Sequence, residues 1–308
     1  MGLGTLLVGA AMAGFSVHPD HLGSIAPAEE LTLPTSSARA RLVVSERGPT
    51  IPLHPAAGEL REALQVSRQA RTIPGDFHAY AVRSLDVPAL DGVALGSAWS
   101  VAGPSGAMTC SVTGFEHISA PDNGVTDVGA PCGAPLVQAT LDCSGDFSHY
   151  GPSVALPAGA RPALGVPVGE PEYVEHIDDH HLAPLVADPV FQARAASLLV
   201  DDEDGEVEVY FSRQVIDFGG QAMALLSGSV MSERDLFPFA AVVGPDGALV
   251  MRHEGGGSAL VDADGDGAPE LLGWSPVPGA ISYAVSFVLV DDDAVREMAT
   301  LNWCETGC

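Results

Sequence analysis

The sequence predicts a mainly β protein with two small antiparallel β-sandwich or barrel-like domains, accompanied by a short N-terminal helix and a linker. The first observation is composition: 35 glycines and 24 prolines among 308 residues favour turns and short strands over long helices. The second is the short alternation of apolar and polar residues between positions 76 and 160, interrupted by Gly, Pro, Asp and Asn. The third is a pair of Asp-Gly steps, at 204–205 and 246–247, which are typical of tight hairpin turns.

The N-terminus begins with an apolar run from Leu3 to Phe15. This run is shorter than the roughly 20 residues that a membrane-spanning helix needs. The Ala-Met-Ala step at 11–13 resembles a signal-peptidase site, so we expect residues 1–18 to be a signal peptide. No basic residue precedes the run, and an ordinary apolar strand or helix is the alternative. No later stretch of the sequence is a candidate membrane span.

Residues 19–75 read as a linker that contains one short helix. The segment is polar and proline-bearing, with one short strand predicted at Arg41–Ser45. A helix is predicted over Ala57–Arg71, ended by the Pro-Gly step at 74–75. Its predicted apolar face consists of Leu60, Ala63, Leu64 and Ser67.

Two β domains are predicted downstream, at residues 76–160 and 190–308. Between them, residues 161–189 are rich in proline, glycine, acid and histidine and are interpreted as a linker. In the second domain we expect hairpins over 196–212 and 239–253 and a strand over 280–290, because apolar runs flank Asp-Gly turns or alternate with polar residues.

The charge of the chain excludes several classes of function. Its 40 acidic and 13 basic residues give a formal net charge of −27, which repels nucleic-acid phosphates. All the basic residues are arginine, and the absence of lysine excludes a Walker A loop, a Schiff base and a Ser–Lys dyad. The GPSGA stretch at 103–107 lacks the spacing of a nucleophile elbow. The sequence favours a non-enzymatic role and identifies no catalytic residue.

Five cysteines lie at positions 110, 132, 143, 304 and 308. Spacing alone does not determine their connectivity. In an exported protein the short separations favour a Cys132–Cys143 bridge and a Cys304–Cys308 bridge, which would leave Cys110 unpaired. No CxxC pair occurs, which argues against a zinc ribbon.

The stretch LVDADGDGAPELL, at 260–272, crowds four carboxylates into nine residues. Alternating aspartates can converge on one point if the chain turns sharply, and Gly267 permits that turn. Calcium takes six to eight hard oxygen ligands and accepts irregular geometry. The predicted calcium ligands are Asp262, Asp264, Asp266, the backbone carbonyl of Ala268, and Glu270.

The loop differs from an EF-hand, which needs a bidentate glutamate at position 12, where this sequence has Gly273. Its pattern, DxDxDGxxE followed by two apolar residues, resembles the calcium loops of FG-GAP and VCBS-type repeats of exported bacterial proteins. The resemblance covers about 30 residues of the C-terminal part and implies a loop between two β-strands with the same ligands. A degenerate second copy is possible at 199–209, where one residue is missing; an acidic hairpin turn is the simpler interpretation.

A second candidate metal site is the histidine-rich segment at 170–181. On a helix, Glu172, His176 and His180 would stack at a spacing of four, which can hold a transition metal. The segment lacks an HExxH motif and is flanked by prolines, so a solvated linker is the competing interpretation.

Two functions follow as hypotheses. The first is an exported, calcium-stabilised structural or binding module that acts outside the cytoplasm on a protein or glycan ligand. The alternative is a metal-dependent hydrolase that uses His176 and His180. Neither the ligand nor the substrate can be read from the sequence.

Overall fold

A computed structural model describes residues 40–44, 48–68, 71–73, 80–103, 106–119, 137–145, 152–174, 176, 180–201, 208–231, 236–276, 284–291 and 294–302. Antiparallel strands dominate these ranges, and the few helices are short, which confirms the predicted mainly β class. The predicted signal peptide at 1–18 lies outside the described residues, as does residue 132.

The described residues of the first part of the chain form ten strands and one helix. They are β1 (Arg41–Val43), β2 (Thr50–Pro52), α1 (Ala57–Gln65), β3 (Arg71–Ile73), β4 (Tyr80–Leu85), β5 (Ala89–Leu90), β6 (Val93–Ala94), β7 (Ala98–Val101), β8 (Met108–Ser119), β9 (Val137–Cys143) and β10 (Ser153–Pro157).

In the second part, the residues that the structure describes form ten strands, two α-helices and a 3₁₀ turn. They are β11 (Ala163–Leu164), β12 (Val166–Val174), the 3₁₀ turn (His180–Leu182), α2 (Ala183–Val186), α3 (Pro189–Asp201), β13 (Glu208–Phe218), β14 (Gln221–Met231), β15 (Leu236–Val243), β16 (Leu249–His253), β17 (Gly256–Asp262), β18 (Glu270–Pro276), β19 (Ala284–Asp291) and β20 (Ala294–Asn302).

Sheet A, formed by eight strands of the first part, is barrel-like. Its pairing runs β1-β10-β7-β8, and β8 also pairs with β9, which in turn pairs with β2. A bridge between Val44 and Thr50 brings β2 back beside β1, so the path curls on itself. Helix α1 closes the core with Leu60, Ala63 and Leu64. Three of the four residues predicted for the apolar face are therefore confirmed. The fourth, Ser67, lies beyond the helix, which ends at Gln65 rather than Arg71.

A disulfide between Cys110 and Cys143 links two neighbouring strands of sheet A. The two cysteines lie directly opposite each other in the register of β8 and β9. The predicted Cys132–Cys143 bridge is therefore wrong, because the partner of Cys143 is selected by strand pairing rather than by the length of the intervening loop.

The second part of the chain forms two five-stranded antiparallel sheets. Sheet B is a meander in the order β12-β13-β14-β15-β16, and sheet C has the order β11-β17-β18-β19-β20. The hairpin predicted over 239–253 is confirmed by β15 and β16, which flank the Asp246-Gly247 turn. The strand predicted over 280–290 is confirmed from Ala284 onward.

Sheet C lies between the other two sheets. Residues of one face, among them Leu260 and Leu271, pack against Ile216 and Leu225 of sheet B. Residues of the opposite face, among them Val261, pack against Leu42 and other residues of sheet A. Because both faces of β17 and β18 are covered, a loop that joins these strands is anchored in the centre of the molecule.

Two predictions for the junction between the halves are wrong. Residues 196–200, expected as the first strand of a hairpin, belong to α3, whose Phe191 packs edge-on against Phe211 and Phe239 of sheet B. Much of the segment 161–189, expected as a linker, is structured: β12 is the edge strand of sheet B, and α2 covers one face of that sheet. The local sequence pattern did not predict these elements because the apolar residues that they contact lie far away in the sequence.

Candidate metal centre

The aspartate-rich loop joins two adjacent strands of sheet C. Asp262 is the last residue of β17, and Glu270 is the first residue of β18. Val261 and Glu270 are paired across the two strands, so the ends of the loop are held together by the sheet. The predicted entry of the loop into a strand rather than a helix is confirmed.

Two glycines give the loop its curvature. Gly265 and Gly267 have φ values of +84° and +87°, in the left-handed region where a residue with a Cβ is disfavoured. Gly267, the glycine predicted to permit the turn, is therefore one of two glycines that bend the loop. Gly265, which the sequence analysis did not single out, follows Asp264 directly and lets the chain reverse between the aspartates.

The aspartate side chains fold the loop back on its own backbone. Asp262 accepts hydrogen bonds from the N–H groups of Gly265, at 2.6 Å, and Gly267, at 3.1 Å. Asp264 accepts from the N–H of Asp266 at 3.0 Å, and Asp266 accepts from the N–H of Ala268 at 2.7 Å. These bonds hold the carboxylates in a fixed arrangement.

Three carboxylates converge as a result. One oxygen each from Asp262, Asp264 and Asp266 lies within 4.8 Å of the other two, and Asp262 is buried. Charges of the same sign at this separation repel each other, and the repulsion is relieved by a bound cation or by protonation. A cluster of carboxylate oxygens on a flexible turn suits a hard cation, for which calcium accepts the widest range of geometries.

Glu270 closes the base of the loop. It is only 3% exposed, and its Oε2 accepts a 2.7 Å hydrogen bond from the N–H of Ala263. Burial raises the pKa of Glu270 to about 8, and the charges of Asp264 and Asp262 add to the increase. Burial also raises the pKa of Asp264, with further contributions from Asp266 and Asp262. Burial and the neighbouring acidic groups therefore both favour the protonated forms of Glu270 and Asp264 in the absence of a cation.

The degenerate copy at 199–209 does not have the same framework. Asp201 is the last residue of helix α3, and Glu208 is the first residue of β13, so the described residues that precede the acidic segment form a helix and not a strand. Residues 202–207 lie outside the described ranges.

The histidine-rich segment is not the helix that its spacing required. Glu172 lies on strand β12, His176 is exposed in irregular structure, and His180 begins the 3₁₀ turn. Glu172 Oε2 instead accepts a 2.8 Å hydrogen bond from Arg213 and lies 3.8 Å from Nε2 of His181. Sequence reasoning missed both partners, because cross-strand pairing rather than local spacing selects Arg213.

Comparisons with known proteins identify no relative. Neither the models of protein families, nor curated proteins, nor solved structures gave a match. Within the described ranges, no helix has both the length and the apolar character needed to cross a membrane.

Proposed function

We propose that the protein is an exported structural or binding module that calcium stabilises. The observation that carries this proposal is the convergence of three aspartate oxygens within 4.8 Å on a glycine-bent loop. In this proposal the ion is held by Asp262, Asp264 and Asp266, with the backbone carbonyl of Ala268 and the carboxylate of Glu270 completing its ligands.

Calcium fits this set of oxygen ligands better than other common metals. Zinc sites use cysteine and histidine, and among the described residues the cluster contains carboxylates alone. Magnesium requires near-ideal octahedral geometry and keeps several waters, whereas calcium adapts to irregular loops. The strand-loop-strand arrangement also supports the resemblance to FG-GAP and VCBS-type loops.

The role proposed for the ion follows from the position of the loop. Residues beside the ligands, Val261 and Leu271, are completely buried in cores that sheet C shares with sheets A and B. An ion that fixes the β17–β18 connection therefore stabilises the layer on which the other sheets pack. The Cys110–Cys143 disulfide supports an oxidising, extracytoplasmic location, since structural disulfides are rare in reducing compartments.

We do not propose the hydrolase alternative. It required Glu172, His176 and His180 to share a helix face, and Glu172 lies on a strand where it pairs with Arg213. No observation favours a second function over the calcium-stabilised module.

Calorimetric titration with calcium chloride tests the proposal. Metal-free wild-type protein is expected to bind one calcium ion, and Asp264→Asn is expected to weaken binding about 10-fold or more. The matched control is Asp246→Asn, because Asp246 also accepts a backbone hydrogen bond at an exposed hairpin turn, from Ala248, but lies outside the cluster. Equal calcium binding by wild type and Asp264→Asn, or no binding by wild type, would contradict the proposal.

A further inference from the structure

Within the described ranges, part of one face of sheet B is exposed and carries two tyrosines. At one end of this face, Ile216 and Leu225 pack against sheet C. Toward the other end, Tyr173 is 79% exposed and Tyr210 is 49% exposed. Tyr173 lies opposite Ser212 in the strand register, and Tyr210 is two residues from Ser212 on β13, so both rings lie on the same face as Ser212.

A cavity of about 290 Å³ begins where this face meets sheet C. Its lining includes Pro171, Ser212, Gln214, Ser227 and Ser258, and none of its lining residues is charged. The cavity is therefore neutral, although the chain as a whole has a net charge of −27. We call the cavity together with Tyr173 and Tyr210 the tyrosine face.

The polar groups of the tyrosine face are held in place but keep hydrogen-bonding capacity. Ser227 Oγ accepts a 2.9 Å bond from the N–H of Gly257, which leaves its own proton available to donate. Ser212 donates to the carbonyl of Ser227 at 3.1 Å and keeps its lone pairs. The NH₂ group of Gln214 donates to the carbonyls of Val168, Gly169 and Val215. The side-chain oxygen of Gln214 is the group that can still accept a hydrogen bond from a ligand.

One tyrosine ring is also oriented. The hydroxyl of Tyr210 donates a 2.7 Å hydrogen bond to the carboxylate of Glu208, two residues earlier on the same strand. This bond limits rotation of the exposed side chain, so less conformational entropy is lost when a ligand stacks on it. The carboxylate at the rim also disfavours an anionic ligand.

We propose that the tyrosine face binds a neutral oligosaccharide. The apolar faces of sugar rings stack on tyrosine, whose body is apolar and whose tip is polar. The sugar hydroxyls both donate and accept, which matches the serine hydroxyls and the amide oxygen of Gln214. The uncharged lining and the negative net charge of the chain exclude an anionic glycan or a phosphorylated ligand as the best partner. The proposal rests on the binding-module function and identifies the ligand class for it.

Titration calorimetry with three neutral hexasaccharides, namely cellohexaose, xylohexaose and mannohexaose, tests the proposal on the calcium-loaded full chain. At least one is expected to bind, whereas anionic oligogalacturonate is expected to give no measurable heat. Tyr173→Ala and Tyr210→Ala are each expected to weaken binding about 5- to 20-fold through lost stacking. Val295→Ala is the matched control, because Val295 is 57% exposed on β20 of sheet C, outside the tyrosine face, and should leave the affinity unchanged.

Three outcomes of the titrations overturn the proposal: no binding of any neutral hexasaccharide at millimolar concentration, equal affinity in the tyrosine variants, or stronger binding of oligogalacturonate. Concentration-dependent dimerisation abolished by Tyr173→Ala would also overturn it, since the face would then serve a second copy of the chain. Calcium binding measured on the same samples separates this failure from failure of the proposed function. If the chain binds calcium but no sugar, only the proposed oligosaccharide ligand is refuted and the calcium-stabilised module is not.

Discussion

The carboxylate of Glu270 accepts a hydrogen bond from the backbone N–H of Ala263, seven residues earlier, and so fastens the exit of the aspartate loop to its entry. Both residues are buried where β17 and β18 meet. This bond forms the base on which the three aspartates converge. It also places an acidic group in an apolar setting, where a nearby cation would favour its charged form.

The first prediction concerns thermal stability. Calcium at about 100 times its dissociation constant is expected to stabilise the folded protein by about 2.7 kcal/mol, because the ion binds the assembled loop and not the unfolded chain. Differential scanning calorimetry should show a higher melting temperature with calcium than with chelator. Asp264→Asn should remove about half of this difference or more, because a 10-fold weaker site gives about 1.4 kcal/mol at the same calcium concentration, and Asp246→Asn should keep it. Identical wild-type melts in both conditions would refute the prediction.

The second prediction concerns pH. Because the pKa of Glu270 is about 8 in the folded protein and about 4.5 in a solvated chain, folding takes up a proton between these values. The calcium-free protein should therefore lose stability as pH rises from about 4.5 to about 8. Calcium must displace this proton, so its stabilising effect should grow over the same range.

Melting curves at pH 5, 6.5 and 8, with calcium and with chelator, measure this pH dependence. Glu270→Gln keeps a neutral acceptor for the N–H of Ala263 and should reduce the slope of the calcium-free protein. A slope that Glu270→Gln leaves unchanged would show that other groups are responsible.

The third prediction concerns the disulfide. Cys110 and Cys143 are separated by 33 residues, and a bridge over a loop of this length contributes about 3–4 kcal/mol in the loop-entropy description. The double variant Cys110→Ala with Cys143→Ala should lower the free energy of unfolding in urea by roughly this amount. Cys132→Ala serves as the control and should leave the bridge intact. Recovery of a peptide that links Cys132 to Cys143 after non-reducing digestion would contradict the assignment.

The fourth prediction concerns the start of helix α3. Asp188 is buried, and its Oδ1 accepts hydrogen bonds from the N–H groups of Val190 and Phe191, while its Oδ2 accepts from Arg252 at 3.0 Å. Asp188→Ala removes the helix cap and leaves Arg252 without this partner, so we expect a loss of about 2–4 kcal/mol. Asp188→Asn retains a cap oxygen and should cost less. Equal unfolding free energies for both variants would argue against a role of the cap.

The fifth prediction concerns the histidine-rich segment. His176→Ala with His180→Ala should leave metal content unchanged, because Glu172 is engaged with Arg213 and the helix needed for a shared site is not formed. Elemental analysis of purified wild type and double variant measures this. Loss of one equivalent of zinc in the variant would return the hydrolase hypothesis to consideration.

The sequence predicted those features that depend on neighbouring residues. The β-rich class, the hairpin at 239–253 and the apolar face of α1 follow from local alternation, turn residues and helical spacing. The convergence of Asp262, Asp264 and Asp266 could be predicted for the same reason: these residues are adjacent in sequence, and glycine supplies the turn.

Tertiary structure decided those features that depend on distant partners. Cys143 pairs with Cys110 because β8 and β9 are neighbours in sheet A, and spacing along the chain carries no information about that register. Residues 196–200 are helical because α3 starts at the Asp188 cap and Phe191 packs against Phe211 and Phe239, although the apolar run alone is equally compatible with a strand. Burial of Glu270 likewise requires sheet A to cover the face of sheet C on which its partner Val261 lies, and the free energy of those apolar contacts is set by residues far apart in the sequence.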